Sequence, residues 1–159
     1  MRIQAPVEAV NDSGSKSSRP RPIRSYEDIE AYQRAMALLK AVHDLVLKFP
    51  DFERYELASQ IRRACKSVPT NIAEGYAKRR SVKEFKAFLT NALGSANEME
   101  VHLRIAIALD YVSKAEVEPT IAAYQVIGRQ LARLIQSWRQ FQPPASSFQP
   151  PTASARRIT

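Results

Sequence analysis

The side chains in this chain with the clearest chemical purpose are cations. Between Arg54 and Lys86 stand nine basic residues (Arg54, Arg62, Arg63, Lys66, Lys78, Arg79, Arg80, Lys83, Lys86) against three acids (Glu56, Glu74, Glu84), a local excess of six positive charges. Arg62 and Lys66 are four residues apart, one turn on a helix. Lys78-Arg79-Arg80 leads directly into Lys83 and Lys86. Such clusters attract polyanions, because each phosphate neutralised releases condensed counterions, and affinity then falls steeply with salt. Arg62, Arg63, Lys66, Lys78, Arg79, Arg80, Lys83 and Lys86 are therefore the candidate nucleic-acid-binding residues. A solvated helix face and loop is the plainer use of the same charges.

Bond-making chemistry has little to work with. Di-iron bundles rely on Glu-x-x-His pairs, but Lys40 stands three residues before His43 and Met99 three before His102. Glu98 and His102 are four apart and read as a local charged hydrogen bond. His43 falls on an apolar seam and reads as a core or interface histidine. Cys65, near Arg63 and Lys66, reads as a buried inert thiol with no catalytic partner. The sequence contains no Walker motif, nucleophile elbow or zinc spacing. The expectation is a non-enzymatic protein with no cofactor, no metal and no catalytic residue.

Positioning a cation cluster requires a scaffold, and 159 residues with 45% hydrophobic and 25% charged side chains suit one folded domain with tails. Lys and Arg number 24 against 16 Asp and Glu, a formal net charge of +8. A single cysteine cannot form an internal disulfide, and the longest apolar runs fall far short of the ~20 residues that span a bilayer. The chain is expected in the cytoplasm, without a membrane partner. Residues 1–24 mix Ser, Pro and Arg without periodicity and are expected to form a disordered basic arm; residues 142–159 are expected to form a disordered Pro-rich tail. Residues 25–141 are the expected domain.

That domain carries four helical patterns. Ile29, Tyr32, Met36, Leu39, His43 and Val46 form one seam, and Ala35, Leu38, Val42, Leu45 and Phe49 widen it. A capping box from Ser25 to Asp28 should start this helix and Pro50 should stop it. The second pattern holds Leu57, Ile61, Ala64, Val68, Ile72 and Tyr76, with a kink or restart expected at Pro69. The third holds Phe85, Leu89, Ala92, Ala96, Met99, Leu103 and Ala106 behind Ser81 and Glu84. The fourth holds Ile121, Tyr124, Gly128, Leu131, Ile135 and Trp138 behind Ser113 and Glu116, with Pro119 expected to shift its first turn. The fold class is all-α, an antiparallel up-and-down four-helix bundle with a kinked second helix. Gly94, Ser95 and Gly128 should permit close helix approach. The double-width first seam exceeds the needs of one bundle and suggests burial between subunits.

The run from Tyr55 to Tyr76, with Gln60-Ile61-Arg62-Arg63-Ala64 and Val68-Pro69-Thr70-Asn71-Ile72-Ala73-Glu74-Gly75 at its centre, closely resembles the signature of the 23S rRNA intervening-sequence protein family. Tyr26 to Ala35, Lys48-Phe49-Pro50, Glu84 to Leu89 and Ala92 to Glu100 extend the match. The resemblance implies a helical bundle that assembles as a ring, typically a homopentamer. A distant relative is the accessory variability determinant of diversity-generating retroelements, which binds nucleic acid and a reverse transcriptase. The expected function is thus a bacterial, oligomeric, non-enzymatic bundle that binds RNA or DNA backbones through its basic surface. The alternative is a protein-interaction scaffold or an accessory subunit, for instance of a reverse transcriptase. In the signature itself, Thr70 and Asn71 should satisfy backbone groups freed at Pro69, Asn71 and Glu74 should be structural hydrogen bonders, and Gly75 should allow close contact or a chain reversal.

Overall fold

The computed structural model describes residues 22–139, which form four helices: α1 (Glu30–Val46), α2 (Leu57–Ala77), α3 (Val82–Ala108) and α4 (Lys114–Ser137). Apart from residues 22–24, the expected disordered arm (residues 1–24) and tail (residues 142–159) lie outside the described residues. Contacts between neighbouring helices run in opposite order along the chain. Ser67 bonds Ser95 while Lys78 faces Glu84; Glu100 bonds Gln125 while Phe85 meets Trp138; Glu30 bonds Gln130 while Lys48 pairs with Glu116. The helices are therefore antiparallel neighbours in an up-and-down bundle, about 26–40 Å long at ~1.5 Å per residue.

The periodic apolar positions account for the core. All seven seam residues of α3 are buried, as are Leu57, Ile61, Ala64, Val68, Ile72 and Tyr76 of α2 and Ile121, Tyr124 and Leu131 of α4. In α1 the two seams part company. Ala35, Val42, Leu45 and Phe49 are buried, whereas Met36 is 44% exposed and Tyr32, Leu39 and His43 are half-buried. The wide face of α1 is thus only partly covered by its own subunit.

The helix boundaries depart from expectation in four places. Ser25 and Asp28 do form a capping box, but it caps a 3-10 turn at Tyr26–Asp28. α1 begins only after Ile29, whose extended backbone (ψ 115°) separates the two elements. At its other end α1 stops at Val46, and Pro50 instead opens a second 3-10 turn, Asp51–Tyr55. Of the kink or restart expected at Pro69, the restart is absent, and α2 runs through as one helix. Thr70 Oγ1 donates to the Lys66 carbonyl at 2.9 Å and Asn71 Nδ2 to the Ser67 carbonyl at 2.9 Å, next to the acceptor that Pro69 leaves unserved. Burial of Val68 and Ile72 holds the helix together against a local cost of ~3 kcal/mol. α4 passes through Pro119 unbroken, as expected, but its first turn is not shifted: Val117 N donates to the Ser113 carbonyl at 3.3 Å.

Small residues matter at one expected place and one other. Gly94 faces open space, and a Cβ on Gly128 would make only ordinary contact, 3.5 Å from Leu93. Ser95 does mark a close approach, since its hydroxyl shares a 2.8 Å hydrogen bond with Ser67. The tightest point is Gly75, where a Cβ would lie 2.8 Å from Phe88 Cβ and 3.1 Å from the Phe85 ring. It sits inside α2 and reverses no chain.

Candidate nucleic-acid interface

The eight candidate cations occupy two separate regions. Arg62, Arg63 and Lys66 lie in the middle of α2, while Lys78, Arg79, Arg80, Lys83 and Lys86 lie at the turn into α3. Twelve residues of helix separate Lys66 from Lys78, about 18 Å along the axis at ~1.5 Å per residue.

The α2 group also splits around the helix. Lys66 is exposed on the α1 side, at the rim of a groove of about 380 Å³ lined by Tyr26, Tyr32, Met36, Leu39 and Pro69. Arg63 is exposed on the α3 side, beside Gln60, Ser67, Ser95 and Glu98. Arg62 is half-buried and turned toward the chain link, its Nη2 donating to the Arg54 carbonyl at 2.7 Å. Spacing on a helix places i and i+4 on one face, but each of these side chains is drawn to a different neighbour.

The turn group is compact. α2 ends as Lys78 N donates to the Gly75 carbonyl and Arg79 N to the Tyr76 carbonyl; Ser81 then caps α3 by accepting from Glu84 N at 3.3 Å. Lys78 Nζ stands 4.7 Å over the Phe88 ring and 3.9 Å from Glu84 Oε1. Arg79 folds back, with its guanidinium 4.2 Å over the Tyr76 ring and Nη1 donating to the Tyr76 carbonyl at 3.0 Å. Its reach outward is spent on its own helix end. Arg80 and Lys83 are exposed, Lys86 is half-buried, and none of the three has an ion-pair partner among the described residues. The aromatic supports Tyr76 and Phe88 escaped the sequence reading; the signal was present in the three-residue spacing from Tyr76 to Arg79.

The remaining reactive groups are arranged for structure. Cys65 is buried, donates to the Arg62 carbonyl at 3.2 Å, and has its thiol pushed up by burial despite the opposing charges of Lys66 and Arg62. His102 is buried and its Nε2 lies 3.2 Å from Glu98 Oε1. His43 donates Nδ1–H to the Leu39 carbonyl at 2.9 Å. Asn71 bonds both the Ser67 carbonyl and the Ser67 hydroxyl, as expected of a structural residue. Glu74 is exposed at the groove rim and makes no hydrogen bond among the described residues, so its expected structural bonding is not seen. Among the described residues no group of His, Cys, Asp and Glu could hold a metal ion, and no helix is long and apolar enough to cross a membrane.

A four-helix bundle with the Val-Pro-x-Asn signature inside α2 can be compared with known families, and the profile of the family described as 23S rRNA-intervening sequence protein matches residues 27–133. The chain belongs to this family. The match spans all of α1, α2 and α3 and most of α4, so the intervening-sequence signature and the whole basic turn fall inside it. A solved structure of a protein of unknown function from the S23 ribosomal protein family of Bacteroides thetaiotaomicron is similar in fold. It has a TM-score of 0.61 and 22% identity, and the match covers 67% of this chain and 99% of that one. No curated protein matches the sequence of this intervening-sequence family member.

Proposed function

We propose that this intervening-sequence family member is a non-enzymatic, oligomeric bundle protein of the cytoplasm that binds the phosphate backbone of RNA or DNA through its basic surface. The observation that carries the reading is the turn between α2 and α3, where Arg80 and Lys83 are exposed without carboxylate partners among the described residues and Lys78 shares only a distant Glu84. A salt-dependent backbone contact needs cations in that condition. The test is fluorescence anisotropy with a fluorescein-labelled RNA hairpin and a DNA duplex at low and physiological salt. Binding at low salt that weakens at least tenfold in the double variant Arg80→Glu, Lys83→Glu supports the reading. No binding at low salt, or no effect of the reversal, overturns it.

Assembly into a ring, with five copies as the specific expectation, is part of the same proposal. It draws support from the partly uncovered face of α1, where Met36 is 44% exposed beside Tyr32 and Leu39. Light scattering is expected to give a multiple of the 17.9 kDa chain mass, and Met36→Glu to reduce it. The second reading, a scaffold or accessory subunit for another protein such as a reverse transcriptase, is favoured by the aromatic-lined groove between α1 and α2. One stoichiometric protein recovered in a pull-down after nuclease treatment would favour it.

A further inference from the structure

Chain order hides how the charge is distributed in space. The turn between α2 and α3 shares its end of the bundle with two other chain segments, the approach to α1 and the exit of α4. Trp138, the C-cap of α4, packs against Phe85 in the first turn of α3, with ring centroids 4.5 Å apart. Ile23 and Asp28, just before α1, line one groove with Arg133, Leu134 and Ser137 of α4. Tyr26 shares another groove with Ala73 and Glu74 of α2. Three segments far apart in sequence therefore meet at one end.

The charges are distributed accordingly. Among the described residues this end holds nine basic residues (Arg24, Arg34, Lys78, Arg79, Arg80, Lys83, Lys86, Arg133, Arg139) and five acids (Glu27, Asp28, Glu30, Glu74, Glu84), an excess of four. Three of those acids are engaged locally, with Asp28 accepting from the Arg24 and Ser25 backbone, Glu30 from Gln130, and Glu84 facing Lys78. The other described residues hold nine basic and nine acidic side chains, Arg62, Arg63 and Lys66 among them, and carry no net charge.

We infer that nucleic acid is bound end-on at the pole formed by the α2–α3 turn, the approach to α1 and the exit of α4, with Arg24, Arg133 and Arg139 adding to the turn cations, and that the middle of α2 contributes little. The inference rests on the proposed backbone binding and deepens it by assigning the contact surface. A localised excess focuses the potential at one pole, and contacts made there act at high effective concentration, whereas cations interspersed with carboxylates on the flanks largely cancel beyond a Debye length of ~8 Å at physiological salt.

Two full-length variants with equal charge change separate local from overall charge. The pole variant carries Arg80→Gln, Lys83→Gln, Arg133→Gln and Arg139→Gln; the flank variant carries Lys40→Gln, Arg54→Gln, Arg63→Gln and Lys66→Gln. All eight of these positions are exposed, and circular dichroism melts verify that both variants fold. Anisotropy with the labelled RNA hairpin is measured across a salt series. The pole variant is expected to bind at least tenfold more weakly and to lose about 3.6 units of slope in log K against log salt if each of the four cations meets one phosphate, given ~0.9 per phosphate contact. The flank variant is expected to stay within about twofold of the wild type, since it forfeits no phosphate contact. If the flank variant falls as far as the pole variant, or if the pole variant binds like the wild type, the end-on assignment is overturned while backbone binding stands. If the wild type itself does not bind at low salt, backbone binding fails and the assignment with it.

Discussion

Trp138 meets Phe85 edge-on at 68°, with ring centroids 4.5 Å apart, and this one contact seats the exit of α4 beside the turn that carries Arg80 and Lys83. Aromatic pairs of this geometry contribute ~0.5–1.5 kcal/mol beyond the area they bury. Trp138→Ala, at a half-buried site, is expected to lower stability by about 2 kcal/mol. Urea unfolding followed by circular dichroism checks it; a loss under about 0.5 kcal/mol would mean that the last turn of α4 is held by something else.

The two glycines that face different surroundings should respond with opposite signs. Gly75→Ala forces a methyl to within 2.8 Å of Phe88 Cβ, which cannot swing aside because it is bonded directly to the α3 backbone. The expected loss is about 1–3 kcal/mol. Gly94→Ala meets nothing within 4 Å and gains helix propensity, so an increase of about 0.5–1 kcal/mol is expected. Thermal melts of the two variants side by side decide the matter.

Asp110 closes α3 in the left-handed region, at φ 57°, with Tyr111 N donating back to the Ala106 carbonyl and Asp110 N to Ile107. This is the helix ending usually given to glycine. Asp110→Gly relieves the Cβ strain and removes a carboxylate from the negative end of the helix dipole, so a gain of about 0.5–1 kcal/mol is expected. A lower melting temperature would show that the Asp110 side chain makes a compensating contact.

Tyr111 donates its hydroxyl to buried Glu53 Oε1 at 2.8 Å, while Glu53 Oε2 accepts from Leu57 N and so caps α2. The tyrosine's ionisation is pushed above its ordinary range, first by this hydrogen bond, then by burial and the charges of Glu53 and Glu56. A folded-state value raised in this way adds stability that is complete below the ordinary tyrosine range of ~10 and disappears as pH rises through the folded-state value. Urea midpoints of the wild type should therefore fall at alkaline pH, and Tyr111→Phe should lower the midpoint at neutral pH and flatten this part of the profile.

Cys65 is buried and its thiol is pushed up, so it should be a poor nucleophile in the folded protein. Alkylation by iodoacetamide at neutral pH is expected to be negligible until urea exposes the site. Rapid alkylation of the native protein would show that α2 opens readily around Pro69.

Much of the architecture was legible in one dimension. Helix existence follows from apolar spacing, and the seam from Phe85 to Ala106 is buried at every position, because a period near 3.6 leaves one face to pack wherever the neighbours come from. Local capping was legible too, but its assignment was not. Ser25 caps a 3-10 turn where a helix was expected, since a box marks an N-terminus without specifying how many turns of helix lie behind it. The effect of a helix-breaking residue was only partly legible: of the kink or restart expected at Pro69, the restart does not occur. The local cost of Pro69 is outweighed by packing of Val68 and Ile72 that no single-helix argument contains.

The cation site divides along the same line. Residue types and spacing were sufficient to pick out a basic turn. They joined Arg62, Arg63 and Lys66 to that turn because sequence distance was the only metric at hand, whereas about 18 Å of helix and three different neighbours separate them in space. They also left out Arg24, Arg133 and Arg139, which lie up to about sixty residues away in the chain and meet the turn only because antiparallel helices bring alternate chain ends to one pole. Local periodicity is written into neighbouring residues, so it can be read along the chain; the summed field of distant charges depends on which helix ends come together, and packing alone settles that.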